Sequence, residues 1–272
     1  MVDTDIITAG IQALKQGGAV LRQHFGTIGA IEHKGKLDLV TDVDRRSEEA
    51  VVTFLSREFP SCGILTEEQP EIKSGSKCRW ILDPLDGTTN YAHGYPVFCV
   101  SLAFEQETSL LWAGVYDPMR DELFTATRGH GATMNNQPLR VSTIDRLDRA
   151  LLCTGFPYDV HDSAENNLDY FAAFITTAQA VRRDGSAALD LCYVAAGRFD
   201  GFWEMKLKPW DIAAGCLIVT EAGGMVTDFT GMPLDITHGN VLASNGCVHN
   251  AMLQILTKKE IAWPSGQDRT IS

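Results

Sequence analysis

The run Trp80-Ile81-Leu82-Asp83-Pro84-Leu85-Asp86-Gly87-Thr88-Thr89-Asn90 constrains this chain more than any other stretch. Trp80, Ile81 and Leu82 predict the end of a buried strand. Asp83 follows them directly, Pro84 stiffens the turn, and Asp86 stands three residues after Asp83. Gly87 frees the backbone, and Thr88 is placed to open a short helix. Two carboxylates at a strand end, beside helix-start amides, suit a divalent cation and a phosphate together. Asp-x-x-Asp by itself is ordinary turn or cap chemistry. The apolar strand in front and the Gly-Thr behind are what point to a site.

The rest of the chain has the means to bury such a strand. Hydrophobic residues make up 44% of 272 positions, enough for one large domain or two closely packed ones. The formal net charge is −12, from 23 Lys+Arg against 35 Asp+Glu. That balance argues against nucleic acid as a main partner. It would also repel an anionic substrate unless a bound cation inverted the local sign. None of the seven cysteines falls in a Cys-x-x-Cys pair and most sit in apolar runs, so reduced core residues are expected. No signal-peptide pattern and no run of ~18 apolar residues is present, so no membrane partner and a reducing cytoplasm are expected.

Helical spacing runs from Asp3 to Phe25, and a second helix starts at Thr41 or Asp42 and ends by Pro60. Gly29 to Leu37 predicts a loop or a frayed hairpin. A short strand, Cys62 to Leu65, leads into Glu67-Glu68. Strands follow at Val97 to Phe104, Leu110 to Tyr116 and Glu122 to Thr127 without intervening helices, which predicts an antiparallel sheet. Gly129 to Pro138 is a Gly/Asn turn before a strand at Leu139 to Ser142. Beyond Thr143 strands alternate with helices. Helices are predicted over Ala164 to Thr177, Ala187 to Ala196, Trp210 to Gly223 and His249 to Thr257. The expected division is an α+β part over 1–142, an α/β part over 143–263 and a disordered tail over 264–272.

Three spaced motifs resemble those of the inositol monophosphatase family of metal-dependent sugar phosphatases: Glu67-Glu68, Asp83 to Thr88, and Trp210-Asp211-Ile212-Ala213-Ala214-Gly215. The resemblance extends from about Gly10 to about Leu256. It implies a layered αβαβα sugar-phosphatase fold of the α/β (α+β) class, with an antiparallel N-terminal sheet and an α/β C-terminal half. It implies Mg²⁺ as cofactor, two to three ions per site. By resemblance, Glu67, Asp83 and the Leu85 carbonyl hold the first ion, and Asp83, Asp86 and Asp211 the second. Glu67 also serves a third, largely hydrated ion. Asp44 and Thr88 orient water, which with Glu67 makes the catalytic set. The Gly87 and Thr88 amides face the phosphate, and Ala187, Glu204 and Asp211 face the sugar.

The same resemblance implies a loop from Lys34 to Asp44 that closes over the metals, with Lys34 and Lys36 both candidates to serve it. It implies lithium sensitivity, a homodimer, and a small sugar or polyol phosphate as substrate. Inositol monophosphate comes first. Fructose bisphosphate, histidinol phosphate and nucleotide 3′-phosphate are the alternatives within the family. A non-catalytic binding protein on the same fold is the alternative from another class. Without the resemblance the same residues have plainer roles. Glu67-Glu68 would be a solvated loop, Asp211 a helix N-cap and Glu204 a strand-end charge. Asp42 keeps such a role in any case, as a first-turn helix acid.

Overall fold

The longest buried strands decide where everything else sits. The computed structural model describes residues 2–27, 31–33 and 39–258. Helix α1 (Thr4–His24) starts at Asp3, whose side chain accepts from the Asp5 amide. A two-stranded ribbon, β1 (Ile31–His33) with β2 (Leu39–Thr41), leads into α2 (Asp42–Glu58). Then come β3 (Gly63–Thr66), β4 (Cys78–Asp86) and the short α3 (Thr88–Ala92). Strands β5 (Cys99–Gln106), β6 (Ser109–Asp117), β7 (Glu122–Thr127), β8 (Ala132–Met134) and β9 (Gln137–Pro138) follow. β3 to β9 form one seven-stranded sheet in chain order. It is antiparallel except where β3 runs parallel to β4.

A second, mixed sheet is built from β10 (Leu151–Thr154), β11 (Ala180–Arg182), β12 (Gly201–Glu204), β13 (Met225–Thr227) and β14 (Val241–Ser244). Its order is β11-β10-β12-β14-β13. The helices of this part are α4 (Leu168–Ile175), α5 (Ala187–Ala195), α6 (Pro209–Glu221) and α7 (His249–Leu256).

Period-two alternation along β4 shows the layering. Trp80 and Leu82 pack with Leu14, Leu21, Val51 and Leu55 of α1 and α2. Ile81 points the other way, into a core with Leu191 of α5 and Ile218 of α6. That inner core continues to Phe202 and Val241 of the second sheet. The outer face of the second sheet buries Leu152, Trp203 and Leu242 against Phe174 of α4 and Met252 of α7. The layers are therefore helix, sheet, helix, sheet, helix. Close approach needs small residues: a Cβ at Gly10 of α1 would strike the Trp112 ring.

Several expectations are corrected. Cys62 and Cys78 are a disulfide, not reduced core thiols, with Cα atoms 5.2 Å apart. Parallel pairing of Gly63 with Arg79 sets the two neighbours side by side. Cys247 is exposed, and the other four thiols are buried. Residues 129–138, expected as a turn, contain β8 and β9. Leu139 to Ser142 is not a strand. Its amides bond outside a ladder, Leu139 to the Ala132 carbonyl and Val141 to that of Ala222. The helix expected from Ala164 begins only at Leu168. Asn167 is held at φ 69° by bonds to Thr154, Gly155 and Trp203. The Lys34 to Asp38 run and the 264–272 tail lie outside the described residues. Among the described residues, no helix is long and apolar enough to cross a membrane.

Candidate active site

Asp83 and Asp86 could not share a site on a regular strand, where residues three apart point to opposite faces. β4 is not regular there. Asp83 pairs with Ser101 and Asp86 with Cys99, so three steps on β4 oppose two on β5. The extra residue makes a β-bulge, and both carboxylates line one cavity of about 520 Å³. The sequence expectation of a strand ending at Leu82 is thereby corrected, since β4 runs on through the bulge to Asp86. The Leu85 amide donates to Asp83 Oδ1 at 3.0 Å, and Ser47 Oγ of α2 donates to the Pro84 carbonyl at 2.8 Å. Gly87 follows at φ 99°, where a Cβ would come 2.9 Å from the Val97 carbonyl oxygen. Thr88 then opens α3, with its hydroxyl 3.0 Å from both Asp44 Oδ1 and the Leu85 carbonyl.

The opposite wall comes from the second sheet and its helices. Glu204 ends β12, and Gly155 leaves it room, because a Cβ there would collide with the Glu204 carboxylate. Asp211 is the third residue of α6, not its N-cap. Its Oδ2 accepts from the backbone amide of the N-cap residue, Lys208, at 2.7 Å. The α5 start meets the bulge: Ser186 Oγ and the Ala188 amide donate to Asp86 Oδ2 at 2.6 and 2.7 Å. Asn90 ties the walls from the other side, its Nδ2 donating to the Val97 and Asp184 carbonyls at 2.8 and 2.7 Å.

Glu67, Asp83, Leu85, Asp86, Gly87, Thr88, Ala187, Glu204 and Asp211 all line this cavity. Asp44 does not. It lies behind Thr88, 1% exposed. Asp190, Arg183 and Lys208 also line the cavity, and Asp190 was not anticipated. It is a buried carboxylate on α5 with no hydrogen-bond partner among the described residues. Its one signal was an acid inside a helix of otherwise apolar residues. Ser47 also escaped notice, because its partner lies far along the chain, whereas Ser186, expected near the sugar hydroxyls with its neighbours Gly185 to Ala188, instead bonds Asp86.

Crowding and burial shift these carboxylates toward their protonated forms. Burial, then the charges of Glu67, Asp86 and Asp211, push Asp83 well above the usual carboxylate range. Asp86 rises through burial despite its Ser186 and Ala188 bonds. Burial pushes Asp211 up to about 7 and Glu204 to about 8, the latter helped by Asp211 and Asp86. Among the described residues, no three His, Cys, Asp or Glu side chains already form a closed cation cage. The donor chemistry still fits a hard cation. Four carboxylates and the Leu85 carbonyl are oxygen donors, and their mutual repulsion is what a divalent ion relieves.

A profile of the inositol monophosphatase family matches residues 3–261. The inositol-1-monophosphatase of Synechocystis sp. is 43% identical over 247 residues, 90% of this chain and 86% of that one. The Nus factor SuhB of Salmonella typhimurium is 44% identical over 251 residues, 91% of this chain and 94% of its own length. The solved structure of inositol monophosphatase from Anabaena (Nostoc) sp. superposes with a TM-score of 0.85 at 40% identity. It covers 92% of this chain and 94% of that one.

Proposed function

The chain belongs to the inositol monophosphatase family, whose members are metal-dependent and act on sugar phosphates, and from that premise we propose that it is a Mg²⁺-dependent phosphate monoester hydrolase whose first substrate is an inositol monophosphate. One observation carries the reading. The β4 bulge and the start of α6 bring Asp83, Asp86 and Asp211 to one cavity with Glu67. Glu67, Asp83, the Leu85 carbonyl, Asp86 and Asp211 would hold two ions, with Glu67 also facing a third. Bound Mg²⁺ supplies charge neutralisation for the phosphate oxygens and acidity for a coordinated water.

The chain's own residues do the rest. The Gly87 and Thr88 amides, at the turn into α3, are donors for phosphate oxygens. No Cys, Ser or His stands in the Asp83 run to attack phosphorus, and Asp83 and Asp86 would be committed to cations, which makes them poor nucleophiles, so water is the nucleophile on this reading. Thr88 has one hydroxyl proton and two acceptors at 3.0 Å. Donating to Asp44 leaves a Thr88 lone pair to accept from that water, and frees the Leu85 carbonyl for a cation. Asp44 is then the base that takes the proton through Thr88. Glu204 and the Ala187 end of α5 face the polyol, with Glu204 accepting from its hydroxyls. Lithium, with half the charge of magnesium, should occupy a cation position and inhibit.

The test is phosphate release from a panel of inositol, fructose, histidinol and nucleotide phosphates, with and without Mg²⁺. Hydrolysis undiminished by chelation sinks the metal reading; a different preferred ester corrects the substrate. A second reading follows from the equal similarity to proteins called Nus factor SuhB: a partner role in transcription, alongside turnover or without it. Retained binding of a transcription partner by an Asp83→Asn variant without turnover would separate the two roles.

A further inference from the structure

Helix α2 turns a polar stripe toward the sheet where an apolar one would ordinarily pack. Asp44, Ser47 and Glu48 are 1%, 0% and 0% exposed, and spacings of three and four residues put them on one face. Two of the three have targets in the active site: Asp44 meets Thr88, and Ser47 meets the Pro84 carbonyl. Glu48 is the third. Its carboxylate faces Thr66 Oγ1 and the backbone amides of Glu68 and Gln69. Among the described residues neither of its oxygens completes a hydrogen bond, and nor does Thr66 Oγ1. A carboxylate buried without full partners destabilises a fold, and an apolar side chain of similar size would fill the space better.

Its targets flank Glu67 on both sides. We propose that Glu48 is a positioning residue for Glu67: by drawing on Thr66 before it and the Glu68 and Gln69 amides after it, Glu48 presents the Glu67 carboxylate to the cavity beside Asp83 and tightens cation binding there. An ionised carboxylate suits the task, since in that form it is acceptor-only and has lone pairs for three donors. Glutamine would set an NH₂ against one of those donors. The idea rests on the reading of Glu67 as a Mg²⁺ ligand. Partners that orient metal ligands commonly govern affinity or activity by about 10–100-fold.

The experiment is Mg²⁺ titration by calorimetry on the full chain, beside the Mg²⁺ dependence of turnover. Wild type is compared with Glu48→Gln, Glu48→Met and Glu49→Gln, the last an exposed neighbour. Both Glu48 variants should bind Mg²⁺ about 10–100-fold more weakly, while kcat at saturating Mg²⁺ recovers most of its value. Glu49→Gln should match wild type. Cation-free Glu48→Met should unfold no earlier than wild type, which a purely structural carboxylate would not allow. Unchanged Mg²⁺ affinity in both Glu48 variants overturns the proposal and leaves the phosphatase reading intact. A wild type that binds no Mg²⁺ overturns both. Variants that cannot fold at all show Glu48 to be a folding element and overturn the proposal alone.

Discussion

The two walls of the cavity are built to different standards of completeness. On the β4 side the chain supplies its own partners. Leu85 bonds Asp83, Ser47 bonds Pro84, and Thr88 bonds Asp44. On the α5–β12 side, neither carboxylate oxygen of the buried Asp190 has a hydrogen-bond partner among the described residues, and Glu204 is buried too. Buried polar groups are ordinarily satisfied, so acceptors left open at a cavity call for donors from outside the chain. The β4 wall is set before anything binds, as suits chemistry that needs fixed geometry. On the proposed function, the other wall would be completed by a hydroxyl-rich ligand, as suits recognition. Asp211 stands between, already bonded to the Lys208 amide yet belonging to the acidic cluster.

The largest expected effect tests the prepared wall as a whole. Excess EDTA should remove all phosphatase activity, and Mg²⁺ should restore it. Full activity in EDTA would make the four carboxylates something other than cation ligands. Next comes Asp44→Asn, which should lower kcat by about 10²–10⁴-fold, the usual size of a general-base contribution. KM should barely move, because the lost interaction belongs to the transition state. Single-turnover chemistry as fast as wild type would break the assignment of the base to the β4 side.

A stability effect of intermediate size follows from the buried acids. Burial pushes Glu48 from an ordinary 4.5 up to about 7, and Glu204 from 4.5 to about 8. Between those limits the folded chain holds protons that the unfolded chain has released. Stability from these groups is therefore complete below pH ~4.5 and is lost as pH rises through 7 and then 8. Each pH unit of the gap is worth about 1.4 kcal/mol, so the pair amounts to several kcal/mol at most. Thermal midpoints in EDTA should fall by several degrees from pH 5.5 to 8.5. Mg²⁺ should raise the midpoint more at the alkaline end, where its ligands are already ionised. A flat profile without metal would mean that the cavity is wetter than its burial indicates.

Some of this was legible in the sequence and some depended on pairing that no local pattern encodes. The Asp83 to Thr88 run and Trp210-Asp211 stand out because few residue types fit a strand-end turn and a helix start. Runs of strands giving way to alternating strands and helices showed an antiparallel sheet followed by an α/β part, and the family resemblance implied the layered fold. The bulge did not follow, since it exists only in the offset between Asp83–Ser101 and Asp86–Cys99. The Cys62–Cys78 bond likewise depends on the parallel register of β3 and β4. Short elements also escaped, because β8 and β9 occupy a Gly/Asn-rich stretch that has the composition of a turn. The bracing of Pro84 by Ser47 joins residues 37 apart, and a serine on a helix carries no mark of such a partner.

The smallest effect bears most directly on the contrast between the walls. Glu204→Gln keeps the shape of an acceptor and removes its charge. Hydrogen bonds to a charged acceptor are roughly twice as strong as neutral ones, so about tenfold in kcat/KM should be lost for an inositol monophosphate. The loss should be absent for p-nitrophenyl phosphate, which brings a phosphate but no polyol. Asp44→Asn, by contrast, should harm both substrates alike, since the base acts on water and not on the sugar. The Glu204→Gln deficit should also narrow toward acidic pH. Burial favours the protonated form of Glu204, which resembles the amide, so the two side chains become alike as pH falls. If Glu204→Gln slowed both substrates equally at every pH, the α5–β12 wall would be part of the chemistry. The division of labour between the walls would then have to be abandoned.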